Sequence, residues 1–430
     1  MKAILSDSKL LIKPPQCSVT GSKSESNRLL ILQKLFPTLS IENLSESDDT
    51  KVLKEALKHL DGTIDIHHAG TAMRFLTAYY ATQPNAKVLL TGSQRMQERP
   101  IAVLVEALQS LGAEIEYKKN TGCSPLTIRG KKITNKSVTI AANVSSQYIS
   151  ALMLVGASLP NGITIHLEGT ITSIPYLTMT LQLMQACGIS GTLKGQTITI
   201  DPVNRLPEKT IIVESDWSSA SYFYSLVALS EETTLTLRHY RRESHQGDAA
   251  VATMYRELGV VTDYDPVEQT ITLSKKGKVS EAFVFEKDLS RTPDLAQTIA
   301  VTCLGLGIAC SLTGLHTLKI KETDRLVALK QEITKLGGEV TITDNSLQLE
   351  ATPSLKKGVA IATYQDHRMA MAFAPLALKI PLTIHDAEVV SKSFPSFWED
   401  FKDLGIFPIY LICFNESSKY SYLLDLLQNP

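Results

Sequence analysis

"ALQSLGAEIEY", residues 107–117, reads as the end of an amphipathic helix, a glycine, and then a strand. Leu108 and Leu111 share one helical face, whereas Ile115 and Tyr117 alternate with glutamates as a half-buried strand requires. Gly112 stands between them, where a helix ends in the left-handed region that glycine enters without a Cβ clash.

The junction recurs as "ALKHLDGTIDI", "LMQACGISGTL", "MYRELGVVTDY", "EITKLGGEVTI" and, less cleanly, "DFKDLGIFPIY", around Gly62, Gly188, Gly259, Gly337 and Gly405. Helix–glycine–strand is a common junction, but six copies with leucine-rich last turns argue for one repeated module. A chain of 430 residues suits two or three domains, so three modules in each of two domains is the natural division. The expected fold is α+β, with helices packed on sheets. The polar stretch "LRHYRRESHQGD" breaks the pattern, which puts a linker near residues 236–242.

Formal net charge is −1, with 43% hydrophobic and 20% charged residues. That balance offers no global attraction for nucleic acid or an anionic membrane. Six cysteines are scattered without metal-ligand spacing, as reduced cytoplasmic thiols would be. The N-terminal stretch lacks a secretory signal's apolar core and no run reaches membrane-spanning length, so a cytoplasmic protein is expected.

The opposite ends of the helices carry the chemical signal. "GSKSESNRLLIL", residues 21–32, pairs Ser22 with Glu25 as a capping box and places Lys23 and Arg28 in the first turns. Cations are misplaced beside the positive end of a helix dipole unless an anion completes the site. Arg74 follows Gly70, Arg95 and Arg99 precede Pro100, and Ser145, Ser146 and Gln147 open another helix, as do Ser173, Pro175 and Tyr176. Asp294 follows Thr292-Pro293, "KETDRL" brings Lys321, Glu322 and Arg325, "DHR" brings Asp366, His367 and Arg368, and Lys392 opens the last helix. Each alone reads as a capped or solvated helix end. Together they predict a shared cationic cleft for a ligand with several phosphates and carboxylates. Mutual repulsion would hold that cleft open until anions enter.

Other motifs carry less. "GSKS" lacks the upstream glycine of a P-loop, because Gln16 stands there. His67 and His68 have no ligand partners at metal-site spacing, and His367 fits a catalytic or an orienting role equally. "KETDRL" could be a solvated helical face, yet adjacent Lys321 and Glu322 cannot share one face. A carboxylate beside cations is a proton-transfer candidate.

In order along the chain, "GSKSESNR", "AGTAMR", "RMQERP", "SSQY", "SDWSSASY", "QGD", "PD", "KETDRL", "DHRMAMA" and "KSFPSFW" resemble the motifs of the 5-enolpyruvylshikimate-3-phosphate synthase family, from about residue 10 to 405. The resemblance implies two domains of three βαβαββ units with the active site between them. Residues 21–236 would form one domain, residues 1–20 with 241–410 the other, and 411–430 a tail of unassigned role. It implies transfer of the enolpyruvyl group of phosphoenolpyruvate to the 5-hydroxyl of shikimate 3-phosphate, by addition and elimination. It implies no metal or organic cofactor, no nucleic-acid or membrane partner, and a monomer.

By the same resemblance Lys23 would touch both substrates. Ser24, Arg28, Ser145, Ser146, Gln147, Ser173 and Lys321 would hold shikimate 3-phosphate. Gly70, Arg99, Arg325, Arg368 and Lys392 would hold phosphoenolpyruvate. Asp294 would bind the shikimate hydroxyls and accept the proton, and Glu322 would protonate the methylene carbon. His68 stands where the family commonly has Asn, and Thr317 where it often has a substrate-binding Asn. Two alternatives are a UDP-N-acetylglucosamine enolpyruvyl transferase, whose family carries a cysteine absent from "TGSQRMQERP", and a non-catalytic phosphometabolite-binding protein.

Overall fold

The computed structural model describes residues 1–11, 16–143, 145–171 and 174–411. Its buried apolar side chains fall into two cores, one running from Leu29 to Val213 and the other combining Ala3, Leu5, Cys17 and Val19 with Trp217 to Ile406. In the first, strands Asp61–Asp65, Lys87–Thr91, Leu126–Arg129 and Glu114–Tyr117 lie in that order, the first pair parallel and the rest antiparallel. Strands Ser137–Ala141, Ile163–Glu168, Thr197–Ile200 and Gly191–Lys194 repeat that arrangement. Strands Val284–Asp288, Ala309–Thr313, Leu347–Leu349 and Val340–Ile342 repeat it again in the second core.

The last sheet orders Val359–Ile361, Leu382–His385, Lys2–Leu5 and Pro408–Leu411, so the N-terminal strand completes the final unit. Two units are reduced. Lys209–Ile212 pairs with Leu39–Glu42 alone, and Thr234–Arg238, Thr270–Lys275 and Val260–Asp265 form three strands. Helices occupy the interior of each core. Trp217–Leu229 carries no charge and is buried at every position but Ser218, its Ser221 bonding Thr298 and its Ser225 bonding Thr302. Among the described residues, no helix is long and apolar enough to cross a membrane.

All six junction glycines have positive φ, from 81° at Gly259 to 103° at Gly112. At Gly112 the Ala113 N–H closes onto Leu108 O at 2.9 Å, tying off the helix end. Gly62 differs from its expected role: it lies inside Asp61–Asp65, beyond a helix that ends at Ala56. That strand opens the next sheet, because the unit it follows shows no third and fourth strands among the described residues.

The change of core also falls elsewhere than residues 236–242. It lies between Val213 and Trp217, since Trp217–Leu229 and Thr234–Arg238 pack in the second core. The polar stretch after Leu237 runs from a strand end into a short turn and buries Tyr240, Gln246 and Asp248 beside the crossing; the crossing itself is short and buried, hence invisible to composition. There Gly21 bridges Ser215, and Ser22 N–H donates to Glu214 O at 2.8 Å. A Cβ on Gly21 would stand 1.8 Å from Asn43 O, so only glycine fits.

Beside this crossing the capping box forms only by half. The Ser22 hydroxyl accepts from Glu25 N–H at 3.5 Å, but the Glu25 carboxylate turns away. It accepts instead from Gln246 Nε2 at 3.0 Å and Glu214 N–H at 3.3 Å. Burial, and then the Glu214 carboxylate, push the Glu25 carboxyl up to about 7. A raised acid favours the fold fully below its unfolded pKa of 4.5 and loses that contribution as pH climbs through 7. Between pH 5 and 8 the Glu25→Gln protein should therefore lose less stability than the native chain, by roughly 2.5 kcal/mol, in urea unfolding. An identical pH dependence in both proteins would show that Glu25 is ionised throughout.

Candidate active site

The helix starts of the two cores face one crevice. From the first core come Lys23, the first residue of Lys23–Leu35, and Gly70, the first of Gly70–Thr82. Ser145 caps Ser146–Gly156, its hydroxyl accepting from Gln147 N–H at 3.3 Å. From the second core come Asp294 in the turn Pro293–Leu295, Arg325 at the start of Arg325–Lys335, and Arg368 in His367–Phe373. Ser24, Arg28, Arg99, Ser146, Gln147, Lys321 and Glu322 line the same crevice. Lys392 lines an adjoining pocket that shares Arg99 and Glu322. Ser173 lies outside the described residues.

Among the described residues, seven basic side chains line the crevice against three acidic ones, in a chain whose net charge is −1. The cations do not hold it open. Tyr176 OH donates to Asp294 Oδ2 at 3.1 Å, and Ser391 Oγ to Asp48 Oδ2 at 2.5 Å, each joining the two cores. Built-in carboxylates offset the repulsion: Lys23 Nζ lies 3.5 Å from Asp49, Lys392 Nζ 3.1 Å from Glu322, and Lys321 Nζ 3.4 Å from Asp294.

Arg325 is the most constrained of the cations. Its Nε donates to Asp366 Oδ2 at 2.6 Å, its Nη1 to Asp294 Oδ1 at 2.8 Å, and its Nη2 to Glu322 Oε2 at 2.8 Å. Only 2% of the side chain is exposed. A guanidinium so clamped holds carboxylates in place more than it offers itself to a ligand. Arg28 is likewise buried, bonded to Thr180, Ser150 and the Ser24 carbonyl, and burial lowers it to about 10. Arg99 has its tip over Gly70: a Cβ there would stand 2.7 Å from Arg99 Nη1. Arg74 lies beneath, donating to Gly70 O and Pro100 O.

Burial alone would raise both acids, but the cations outweigh it. Lys321, Arg368 and Arg325 hold Asp294 well below the usual carboxylate range. Lys392 and Arg325 do the same to Glu322. The two carboxylates flank one guanidinium from its two Nη atoms, so two ionised groups are set around a common point. His367 is buried with neither ring nitrogen hydrogen-bonded, and burial followed by Lys23 keeps its imidazole neutral. Among the described residues no three His, Cys, Asp or Glu side chains cluster as metal ligands would.

Tyr176, Asp49 and Asp366 were assigned no site role from the sequence, and all three orient its charges. Tyr176 and Asp366 were visible as helix-start residues; nothing local distinguishes Asp49 from an ordinary first-turn acid. Arg95 pairs with Glu98 at 3.1 Å on the surface, a solvated ion pair.

The sequence model of EPSP synthase (3-phosphoshikimate 1-carboxyvinyltransferase) matches residues 61–401. A 3-phosphoshikimate 1-carboxyvinyltransferase of Bacteroides fragilis (strain YCH46) is 45% identical over 413 residues, covering 92% of this chain and 97% of that one. One from Histophilus somni (strain 2336) is 33% identical, covering 91% and 96%. An EPSP synthase structure from Acinetobacter baumannii superposes with TM-score 0.76 at 19% identity, over 96% of this chain and 100% of that one. The enolpyruvyl transferase NikO from Streptomyces tendae gives TM-score 0.71 at 15% identity, over 95% and 98%. At those identities the structures speak for the fold alone.

Gly70→Ala should fold, because the displaced neighbour is the tip of a flexible side chain. The added methyl should push Arg99 aside and weaken phosphoenolpyruvate binding by roughly tenfold, one charge-assisted hydrogen bond's worth. Titration calorimetry checks it, and unchanged affinity would place Arg99 outside the ligand's reach.

Proposed function

The chain belongs to the EPSP synthase family, and on that footing we propose that it transfers the enolpyruvyl group of phosphoenolpyruvate to the 5-hydroxyl of shikimate 3-phosphate. The observation that carries this reading is the pairing of Asp294 and Glu322 on the two Nη atoms of Arg325, inside a crevice rimmed by cations from both cores. The two alternative readings weighed from the sequence are not favoured by the matches.

In this reading the two cores are the two bodies of the enzyme, residues 22–213 and residues 1–20 with 217–411. Ser24, Ser145, Ser146, Gln147 and Lys321 hold shikimate 3-phosphate, with Ser173 as an expected further contact. Arg28, three of its five N–H donors engaged by Thr180, Ser24 and Ser150, stiffens the wall of that site and has two left for the ligand. Lys23, Arg99, Arg368 and Lys392 take the phosphate and carboxylate of phosphoenolpyruvate, and Gly70 leaves room for them. Arg325 acts chiefly by aligning Asp294 and Glu322.

Asp294 receives the 5-hydroxyl proton as the oxygen attacks C2, and Glu322 supplies a proton to C3, giving a tetrahedral ketal phosphate. Phosphate then leaves, taking up the proton held by Asp294, as Glu322 removes a C3 proton. A carboxylate held this far down is a poor acid, so the field around Glu322 must change on binding. The incoming anions do this: they share Lys392 and the arginines, weaken the cations' hold on Glu322 and raise its proton affinity. The substrate thereby prepares its own acid. Pre-aimed cations then stabilise the charge that develops.

Mixing the protein with both substrates should release inorganic phosphate. Failure with shikimate 3-phosphate alongside release with UDP-N-acetylglucosamine would reassign the acceptor. Glu322→Gln should lower kcat by about 100-fold or more with little change in KM, the signature of a proton-transfer group. A KM increase as large as the kcat loss would make Glu322 a positioning residue.

A further inference from the structure

The connection from strand Val359–Ile361 to helix His367–Phe373 holds a turn that its own side chains disfavour. The Asp366 N–H closes onto Thr363 O at 2.9 Å, which makes Tyr364 and Gln365 the centre of a tight turn. Both have positive φ, 55° and 58°, the only adjacent non-glycine pair to do so among the described residues. Glycine, asparagine and aspartate suit such a turn; tyrosine and glutamine need an outside hold to stay in it.

Glu332 supplies the hold. Its side chain is fully buried. Its Oε1 accepts from the Tyr364 hydroxyl, which it shares with Gln331 Oε1, and its Oε2 accepts from the Ala362 N–H at 3.1 Å. Lys335 Nζ lies 2.7 Å from both carboxylate oxygens and balances the charge. Glu332 stands seven residues after Arg325 in helix Arg325–Lys335, so the two share one buried face, two turns apart. At the far end of that face Arg325 Nε donates to Asp366 Oδ2 at 2.6 Å. Residues 362–366 are thus tied to a single helix face at both ends. For packing alone an apolar residue would serve there at less cost.

We propose that Glu332 is a positioning residue for the reaction: it holds the turn at Tyr364 and Gln365 and so seats Asp366 on Arg325, which aligns Asp294 and Glu322. Glu332 lies outside the crevice lining, so its effect travels through the turn and Arg325. The inference rests on the reaction proposed above.

Two measurements separate the clamp from that reaction. In Glu332→Ala the amides of residues 364–368 should exchange about tenfold faster, whatever the reaction is. In the phosphate-release assay the same variant should lose about tenfold in kcat with KM little changed, the worth of one hydrogen bond to a charged group. Adding Gln365→Gly, which enters positive φ freely, should recover several-fold of that loss. Tyr364→Phe should show a smaller loss with the same rescue, and it carries the test if Glu332→Ala does not fold. Unchanged exchange overturns the proposal. So does a lower unfolding midpoint with kcat unchanged, or a kcat loss that the glycine does not recover. A native chain that releases no phosphate removes the reaction alone, and amide exchange then decides the clamp.

Discussion

The buried guanidinium of Arg325 organises the centre of this protein. Taking such a cation out of water costs several kcal/mol, and only close, well-directed carboxylates offset that. Asp366, Asp294 and Glu322 do so from three sides, at 2.6, 2.8 and 2.8 Å. One consequence is that the two proposed proton-transfer groups cannot drift independently. Another is that removing Arg325 would leave the buried Asp366 and its two neighbours without their shared counter-ion, so the cluster is fixed as a unit.

The same logic scales up to the crevice. Lysines and arginines at helix starts oppose the helix dipoles, and each is locally unfavourable. The two cores meet through polar side chains, Tyr176 on Asp294 and Ser391 on Asp48, rather than through a continuous apolar interface. The apolar cores stay separate, joined by a narrow crossing at Gly21 and Ser215. A narrow crossing and a polar interface suit relative motion of two bodies when anions compete for the cations. Glu25 and Glu214, buried against each other at that crossing, make its stability sensitive to pH near neutrality.

The repeat was legible because a helix end followed by a strand needs positive φ, and glycine marks that need wherever it falls. It was misread where a unit is reduced. Gly62 has the same local surroundings as Gly112, yet its strand joins the next sheet, a choice made by which neighbour offers an open edge. The crossing was misplaced for a related reason. A polar run such as residues 237–248 signals solvent contact, whereas the short connection through Val213 to Trp217 is buried and compositionally unremarked.

Local sequence determined the helix and strand ends, the apolar faces and the clustering of cations at helix starts, because each follows from bonds and side chains within a few residues. The convergence of those starts on one crevice agrees with that reading. Tertiary structure alone decided which charges meet. That Arg325 is enclosed by carboxylates, that Arg28 is bonded to Thr180 and Ser150, and that Tyr176 reaches Asp294 depend on contacts between segments far apart in sequence. Electrostatic energy depends on distance and burial, and neither exists until the chain has folded.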